Sequence, residues 1–130
     1  MAVQLNHTIV TTSDKTANAR FVADLLGLPE PEPFGPFMCV QTSNDVTLDY
    51  LETGEEINPQ HYAFLVSEGE FDEIFARIQA QDLPYWADPG HHEAGRINTR
   101  DGGRGVYFDD PDGHVLEILT RPYGSGDQSS

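Results

Sequence analysis

The chain has 130 residues, 38% of them hydrophobic, one cysteine, and seven Lys and Arg against 22 Asp and Glu, a formal net charge of −15. That charge repels phosphate backbones and argues against a nucleic-acid partner, while a lone thiol excludes an intrachain disulfide and a cysteine zinc knuckle. With no apolar run near the roughly 20 residues of a membrane span and no signal-peptide pattern over residues 1–7, a single cytoplasmic domain with no membrane partner is expected.

Residues 5–10 read as a strand rich in β-branched side chains. A helix follows, with Ser13 or Asp14 as cap, Phe21, Val22, Leu25 and Leu26 as its apolar stripe, and Gly27 as its stop. Leu28-Pro29 ends it, because proline cannot continue a helix. Short strands are expected at 32–34, 37–41 and 46–51, with Ser43-Asn44-Asp45 as the turn before the last. Then the order repeats. Residues 60–66 read as a strand, Ser67 and Glu70 as a capping box, and Phe71, Ile74, Phe75 and Ile78 as one helical stripe before Leu83-Pro84. Strands near 84–87, 106–108 and 115–119 complete the second half. The last two form a hairpin through Asp109-Asp110-Pro111-Asp112-Gly113, where proline presets φ and glycine supplies a positive one. Each half is thus a β-α-β-β-β module, about 4–53 and 59–121, within one α+β domain over 1–124. A disordered tail is expected over 125–130.

The halves are copies. His7 and His61 stand 54 positions apart, as do Ser13 and Ser67 and also Phe21 and Phe75, whereas Asp49 and Glu117 stand 68 apart. The extra residues fall mostly in one loop, 88–105. Side chains alternate across a strand. His7 therefore shares a face with Leu5 and Ile9, His61 with Ala63 and Leu65, Asp49 with Thr47 and Leu51, and Glu117 with Val115 and Leu119. The opposite faces, with Tyr62, Phe64, Val66, Leu48, Tyr50, Leu116 and Ile118, are the ones to pack against helices. If the strands curl into one sheet around a cavity, two imidazoles and two carboxylates gather among apolar neighbours. Such a set is costly without compensation, and a divalent cation held by two His and one carboxylate supplies it while leaving positions open.

The stretches Leu5-Asn6-His7, His61-Tyr62-Ala63-Phe64 and Tyr107-Phe108-Asp109-Asp110-Pro111-Asp112-Gly113-His114-Val115-Leu116-Glu117 resemble the vicinal oxygen chelate superfamily. It contains glyoxalase I, bleomycin-resistance proteins, extradiol dioxygenases and fosfomycin-resistance thiol transferases. The resemblance covers about residues 4–121 and implies paired modules forming a curved mixed sheet around a central cavity. It also implies one divalent ion per site (Zn, Ni, Mn, Co or Fe) on His7, His61 and Glu117. Asp49 falls where glyoxalase I has a fourth ligand, a glutamate; being a methylene shorter, it is expected either as a ligand or behind the metal. Asp49 and Glu117 are the expected catalytic carboxyls, with a free carboxylate or a metal-bound water to move the proton. The wording looks closest to the fosfomycin-resistance enzymes, yet those carry a lysine-bearing loop, and the only lysine here is Lys15.

Arg96, Arg100, Arg104 and Arg121 cluster in sequence near the last hairpin, where a guanidinium fork suits an anionic substrate. Arg96, Arg104 and Arg121, with Tyr107 and with Trp86 at the pocket mouth, are the expected substrate contacts. His114 faces away from Glu117 and is expected to be structural. The resemblance implies a metal-dependent enzyme on a small molecule, of lyase, isomerase or transferase type ahead of ring cleavage. The alternative is a non-catalytic protein that sequesters an antibiotic or natural product, as bleomycin-resistance proteins do. Relatives often exchange modules, so a homodimer is expected, with His7 from one chain and His61 and Glu117 from the other; the alternative is a single chain that closes its own cup.

Overall fold

The computed structural model describes residues 3–125. It divides into two compact units, Met1–Asn58 and Pro59–Ser130. The first contains β1 (His7–Thr12), α1 (Lys15–Leu26), β2 (Glu32–Phe34), β3 (Phe37–Gln41) and β4 (Thr47–Glu52). The second contains β5 (His61–Leu65), α2 (Glu68–Ala80), β6 (Tyr85–Trp86), β7 (Gly105–Asp109) and β8 (Val115–Leu119), with a 3₁₀ turn at Arg100–Gly102. Each is a β-α-β-β-β module, so the α+β class holds. No helix among the described residues is long and apolar enough to cross a membrane.

In the first unit the sheet order is β1-β4-β3-β2, with β1 and β4 parallel and the other pairs antiparallel. Asp14 starts α1 by accepting the Ala17 N–H at 3.0 Å. Gly27 ends it at φ 71°, a left-handed value that glycine adopts without steric cost. Helix α1 packs on β3 and β4. Its buried Ala19, Val22, Ala23 and Leu25, with buried Val10, Val40, Leu48 and Tyr50, form the core of this unit. Burying such side chains contributes roughly 1.5–3 kcal/mol each for the larger ones. The opposite sheet face carries His7, Ile9, Cys39, Thr47 and Asp49.

The second unit repeats the order as β5-β8-β7-β6. Its register is the same: His61 lies opposite Val115 and Ala63 opposite Glu117, as His7 lies opposite Thr47 and Ile9 opposite Asp49. The capping box forms in full, with Ser67 and Glu70 each accepting the other's backbone N–H. Phe71, Ile74 and Ile78 are buried, as are Val106, Phe108, Leu116 and Ile118. Phe75, also in the stripe, lies edge-on to Tyr85 with ring centroids 5.0 Å apart. The strand expected near 84–87 shortens to Tyr85–Trp86, because residues 87–104 leave the sheet edge as a loop.

That loop has internal order. The Asp88 carboxylate accepts the His92 and Glu93 amides at 2.9 and 2.7 Å, and Asn98 pairs with Gly105 in a bridge. A Cβ at Gly105 would stand 2.9 Å from the Asn98 side chain, so this approach needs glycine. The hairpin turn is tied by Asp110 Oδ1, which accepts the Asp112 and His114 amides at 2.9 and 2.8 Å. The carbonyl of Ser125, the first residue of the expected tail, accepts a hydrogen bond from Arg121 at 2.6 Å. The rest of that tail, 126–130, lies outside the described residues.

Candidate functional site

The open face of the second unit gathers the functional groups. Because β5 and β8 run parallel with Ala63 beside Glu117, His61 stands one diagonal step from Glu117. Its Nε2 lies 3.0 Å from Glu117 Oε1. The Glu117 side chain is 2% exposed and that of His61 46% exposed, so the carboxyl sits at the floor and the imidazole at the rim. A buried carboxylate needs donors. The Tyr123 hydroxyl donates to Oε2, and the Tyr107 hydroxyl lies 3.1 Å from that of Tyr123. Burial, and then the Glu117 carboxyl, raise the Tyr123 phenol well above its ordinary range. The His61 and Tyr107 rings lie 5.7 Å apart.

His114 sets the entry to β5. It is fully buried, edge-on to Tyr62 at 5.9 Å, and its Nδ1 accepts the Gln60 N–H at 3.0 Å. The residue before His61 is thereby fixed to the β7–β8 turn.

His61 and Glu117 fit a divalent ion. Two neighbouring ligands of an octahedral ion, bound at about 2.1 Å, lie about 3.0 Å apart, and this is also the length of the hydrogen bond that His61 Nε2 makes with Glu117 Oε1. Within each unit taken alone, the described residues bring no three His, Cys, Asp or Glu side chains together to hold an ion.

In the first unit His7 is exposed at the start of β1, its Nδ1 2.8 Å from Asn6 Oδ1. Asp49 is buried, and its Oδ1 has no hydrogen-bond partner among the described residues. The Cys39 thiol, pushed up to about 11 by burial and then by its hydrogen bond and charge interaction with Asp49, stays protonated at neutral pH. A cavity of about 310 Å³ lined by Pro29, Glu30, Glu32, Cys39, Gln41 and Thr47 holds none of the expected site residues.

The arginines part company. Arg104, expected on the substrate, is turned to α2. It pairs with Glu68 and Asp72 at 2.8 and 2.9 Å and covers the Phe71 ring at 4.4 Å. Its position one residue before β7 puts it on the side of Val106 and Phe108, away from Glu117, so its role is to fasten the helix. Arg121 bonds the Ser125 carbonyl, and Arg96 stands exposed in the loop. Arg100, one of the four arginines marked near the hairpin, lies 5.6 Å from the Tyr123 ring centre; burial pulls its guanidinium pKa down, but the neighbouring Tyr107 and Tyr123 phenols outweigh that and raise it. Trp86 is on the Glu117 side of the sheet, stacked under His91 at 3.8 Å. His91 in turn lies 3.2 Å from Asp109.

Tyr123 is the residue the sequence reading missed. Its signal was slight: a tyrosine six positions past Glu117, between Pro122 and Gly124, where the chain can fold back.

The family model described as Glyoxalase/Bleomycin resistance protein/Dioxygenase superfamily matches residues 4–118. Glutathione transferase FosA of Serratia marcescens is 31% identical over 127 residues, covering 91% of this chain and 81% of that protein. Among solved structures, Oxidase ChaP-H1 is 65% identical with a TM-score of 0.93, covering 95% of this chain and 99% of that one. Lactoylglutathione lyase from Agrobacterium tumefaciens, at 19% identity and TM-score 0.70 over 92% of this chain and 94% of that one, shares the fold.

Proposed function

This chain belongs to the glyoxalase/bleomycin resistance protein/dioxygenase superfamily, and we propose that it is a divalent-metal-dependent enzyme that oxidises a small molecule. The observation that carries this reading is the His61–Glu117 pair, 3.0 Å apart on an open sheet face with the carboxyl buried beneath the ring. Placing a carboxylate there costs several kcal/mol of desolvation; a bound cation offsets that cost, and a passive apolar cup has no use for it. His61 and Glu117 would hold the ion, with His7 as third ligand from a second copy of the chain. In support of a shared site, Ile9 and Leu65, on the same sheet faces as the two histidines, are 49% and 63% exposed in the single chain.

When bound, the ion would draw two adjacent substrate oxygens together as a Lewis acid and, if it is iron, support oxygen chemistry. The chain's own groups do the rest. Asp49 would be the group that moves protons; Glu117, expected to share that task, has one oxygen facing His61 and the other holding the Tyr123 hydroxyl, so it would serve as a ligand. Tyr107 and Trp86 line the face where substrate would lie. The family resemblance favoured lyase, isomerase or transferase chemistry; the 65% identity to a protein named an oxidase shifts the preference to oxidation. Thiol transfer of the FosA kind is the second reading, favoured by 31% identity. Against phosphonate as its substrate, Lys15 spends its ammonium on the Pro36 carbonyl at 2.8 Å, at the start of α1.

Elemental analysis of protein purified without chelator tests the proposal. About one divalent ion per chain is expected, iron on the oxidase reading, and loss of that ion in His61→Ala. Metal-free wild type that stays metal-free when offered Fe²⁺, Mn²⁺ and Co²⁺ would remove the enzyme reading.

A further inference from the structure

After β8 the chain reverses over the sheet face that carries Glu117. Three contacts fix the reversal. The Gly124 N–H donates to Asp101 Oδ2 at 2.9 Å, Arg121 donates to the Ser125 carbonyl at 2.6 Å, and the Ser125 N–H donates to the Pro122 carbonyl at 3.1 Å. Gly124 takes φ 85° to make the bend. The product of this geometry is one aimed hydroxyl. Tyr123 donates to Glu117 Oε2 while His61 lies against Oε1. With its proton committed to Glu117, the Tyr123 oxygen accepts from Tyr107, and the Arg100 guanidinium lies 5.6 Å from the Tyr123 ring centre.

A free carboxylate has two equivalent oxygens and can grip a cation with either or both. This one does not. Its two oxygens have different partners, one facing the second ligand-type side chain and the other capped by a phenol. We propose that Tyr123 is a positioning residue for the metal centre. It holds Oε2 away from the ion, so that Glu117 binds through Oε1 alone beside His61, and one more coordination position stays open for substrate oxygens. The inference rests on the metal reading above and adds to it a residue from the C-terminal segment.

Removing such an outer partner of a metal ligand typically weakens binding 10–100-fold. The test is a Co²⁺ titration of chelator-stripped protein, wild type against Tyr123→Phe, followed by the visible absorption of the bound ion and by thermal melting. Phenylalanine keeps the ring under Arg100 and removes only the donor; since Tyr123 is 44% exposed, the fold should survive. The expected result is a Kd for Co²⁺ about tenfold weaker. The visible band should also weaken, because a carboxylate freed to bind through both oxygens raises the coordination number, and the metal-free melting temperature should move little. Equal Kd and superimposable spectra in the two proteins would overturn the role of Tyr123 and leave the metal centre standing. A weaker Kd with an unchanged spectrum and a lowered melting temperature would overturn it too, as the mark of a tail anchor. Wild type that takes up no Co²⁺ defeats the metal reading itself, and this inference with it.

Discussion

Replacing Glu117 by methionine separates a functional carboxyl from a structural one. The side chain is buried beneath His61 and beside Tyr123, and methionine has similar length with no charge to desolvate. Exchanging a buried ion pair for apolar groups often stabilises by about 1–4 kcal/mol, provided no charge is stranded. Here the stranded partners are not buried: His61 and Tyr123 both reach water, so each can be resolvated after the exchange. The lower end of that range, about 1–2 kcal/mol, is therefore expected. With an unfolding entropy of about 2.1 cal/mol/K per residue, 130 residues give about 0.27 kcal/mol/K. The metal-free Glu117→Met protein should thus melt about 4–7 °C above metal-free wild type. Saturation with Co²⁺ at about 100 times its Kd adds about 2.7 kcal/mol, or about 10 °C, to wild type alone. The order of the two melting curves should then reverse, which scanning calorimetry with and without Co²⁺ reads directly. A metal-free Glu117→Met protein melting below wild type by ten degrees or more would mean that the carboxyl holds the fold together, and the site would lose its main support.

Two further substitutions address the scaffold beneath the site. His114→Ala removes a fully buried ring and the acceptor for the Gln60 N–H; a lost buried partner plus a cavity costs about 2–4 kcal/mol. Melting should fall by about 7–15 °C, and a fall under about 3 °C would show that the β5 entry is held by other contacts. Asp110 is raised in pKa by burial, its largest influence, against the opposing pull of the backbone amides and of His114. A raised folded-state pKa means that its contribution is full below the ordinary carboxylate range and is lost as pH rises through the folded value. Asp110→Asn keeps the Oδ1 acceptor and cannot ionise, so it should melt above wild type at pH 7, with the gap closing as pH falls to about 4. A gap that widens on acidification would reverse the sign of the reasoning.

Much of the fold was legible because each element carries its own local chemistry. Ser67 and Glu70 announce α2, Gly27 ends α1, and Asp110-Pro111-Asp112-Gly113 makes its turn from within. The duplication was legible because the two histidines and the two acids keep their strand registers, and equal register means an equal face. Parity also held the answer for Arg104. Two positions before Val106, it belongs to the buried side, and nearness in sequence to Glu117 says nothing about facing it. The Tyr123 contact had no such periodic signal. It depends on a chain reversal pinned by Asp101, a residue 23 positions upstream in a loop whose course follows from its own side-chain hydrogen bonds. Contacts made by irregular segments do not project onto a strand or helix period, so the part of the site they supply stays hidden until the backbone is known.

The duplicated units have diverged where the chemistry would lie. Cys39 and Tyr107 occupy the same position opposite the β4 and β8 acids, yet their effects differ. In the first unit the thiol is a weak donor; it leaves the shorter Asp49 with a buried oxygen that has no hydrogen-bond partner among the described residues. In the second, Tyr107 supports Tyr123, Tyr123 caps one oxygen of the longer Glu117, and the other oxygen is presented beside an imidazole. On the proposed reading, a carboxyl whose two oxygens have different partners suits an ion that uses one of them. In the first unit the equivalent groups are an exposed imidazole, His7, beside Asn6, and the buried carboxyl of Asp49. On this physical ground the face of the second unit, with His61 beside Glu117, is the one we propose for the ion.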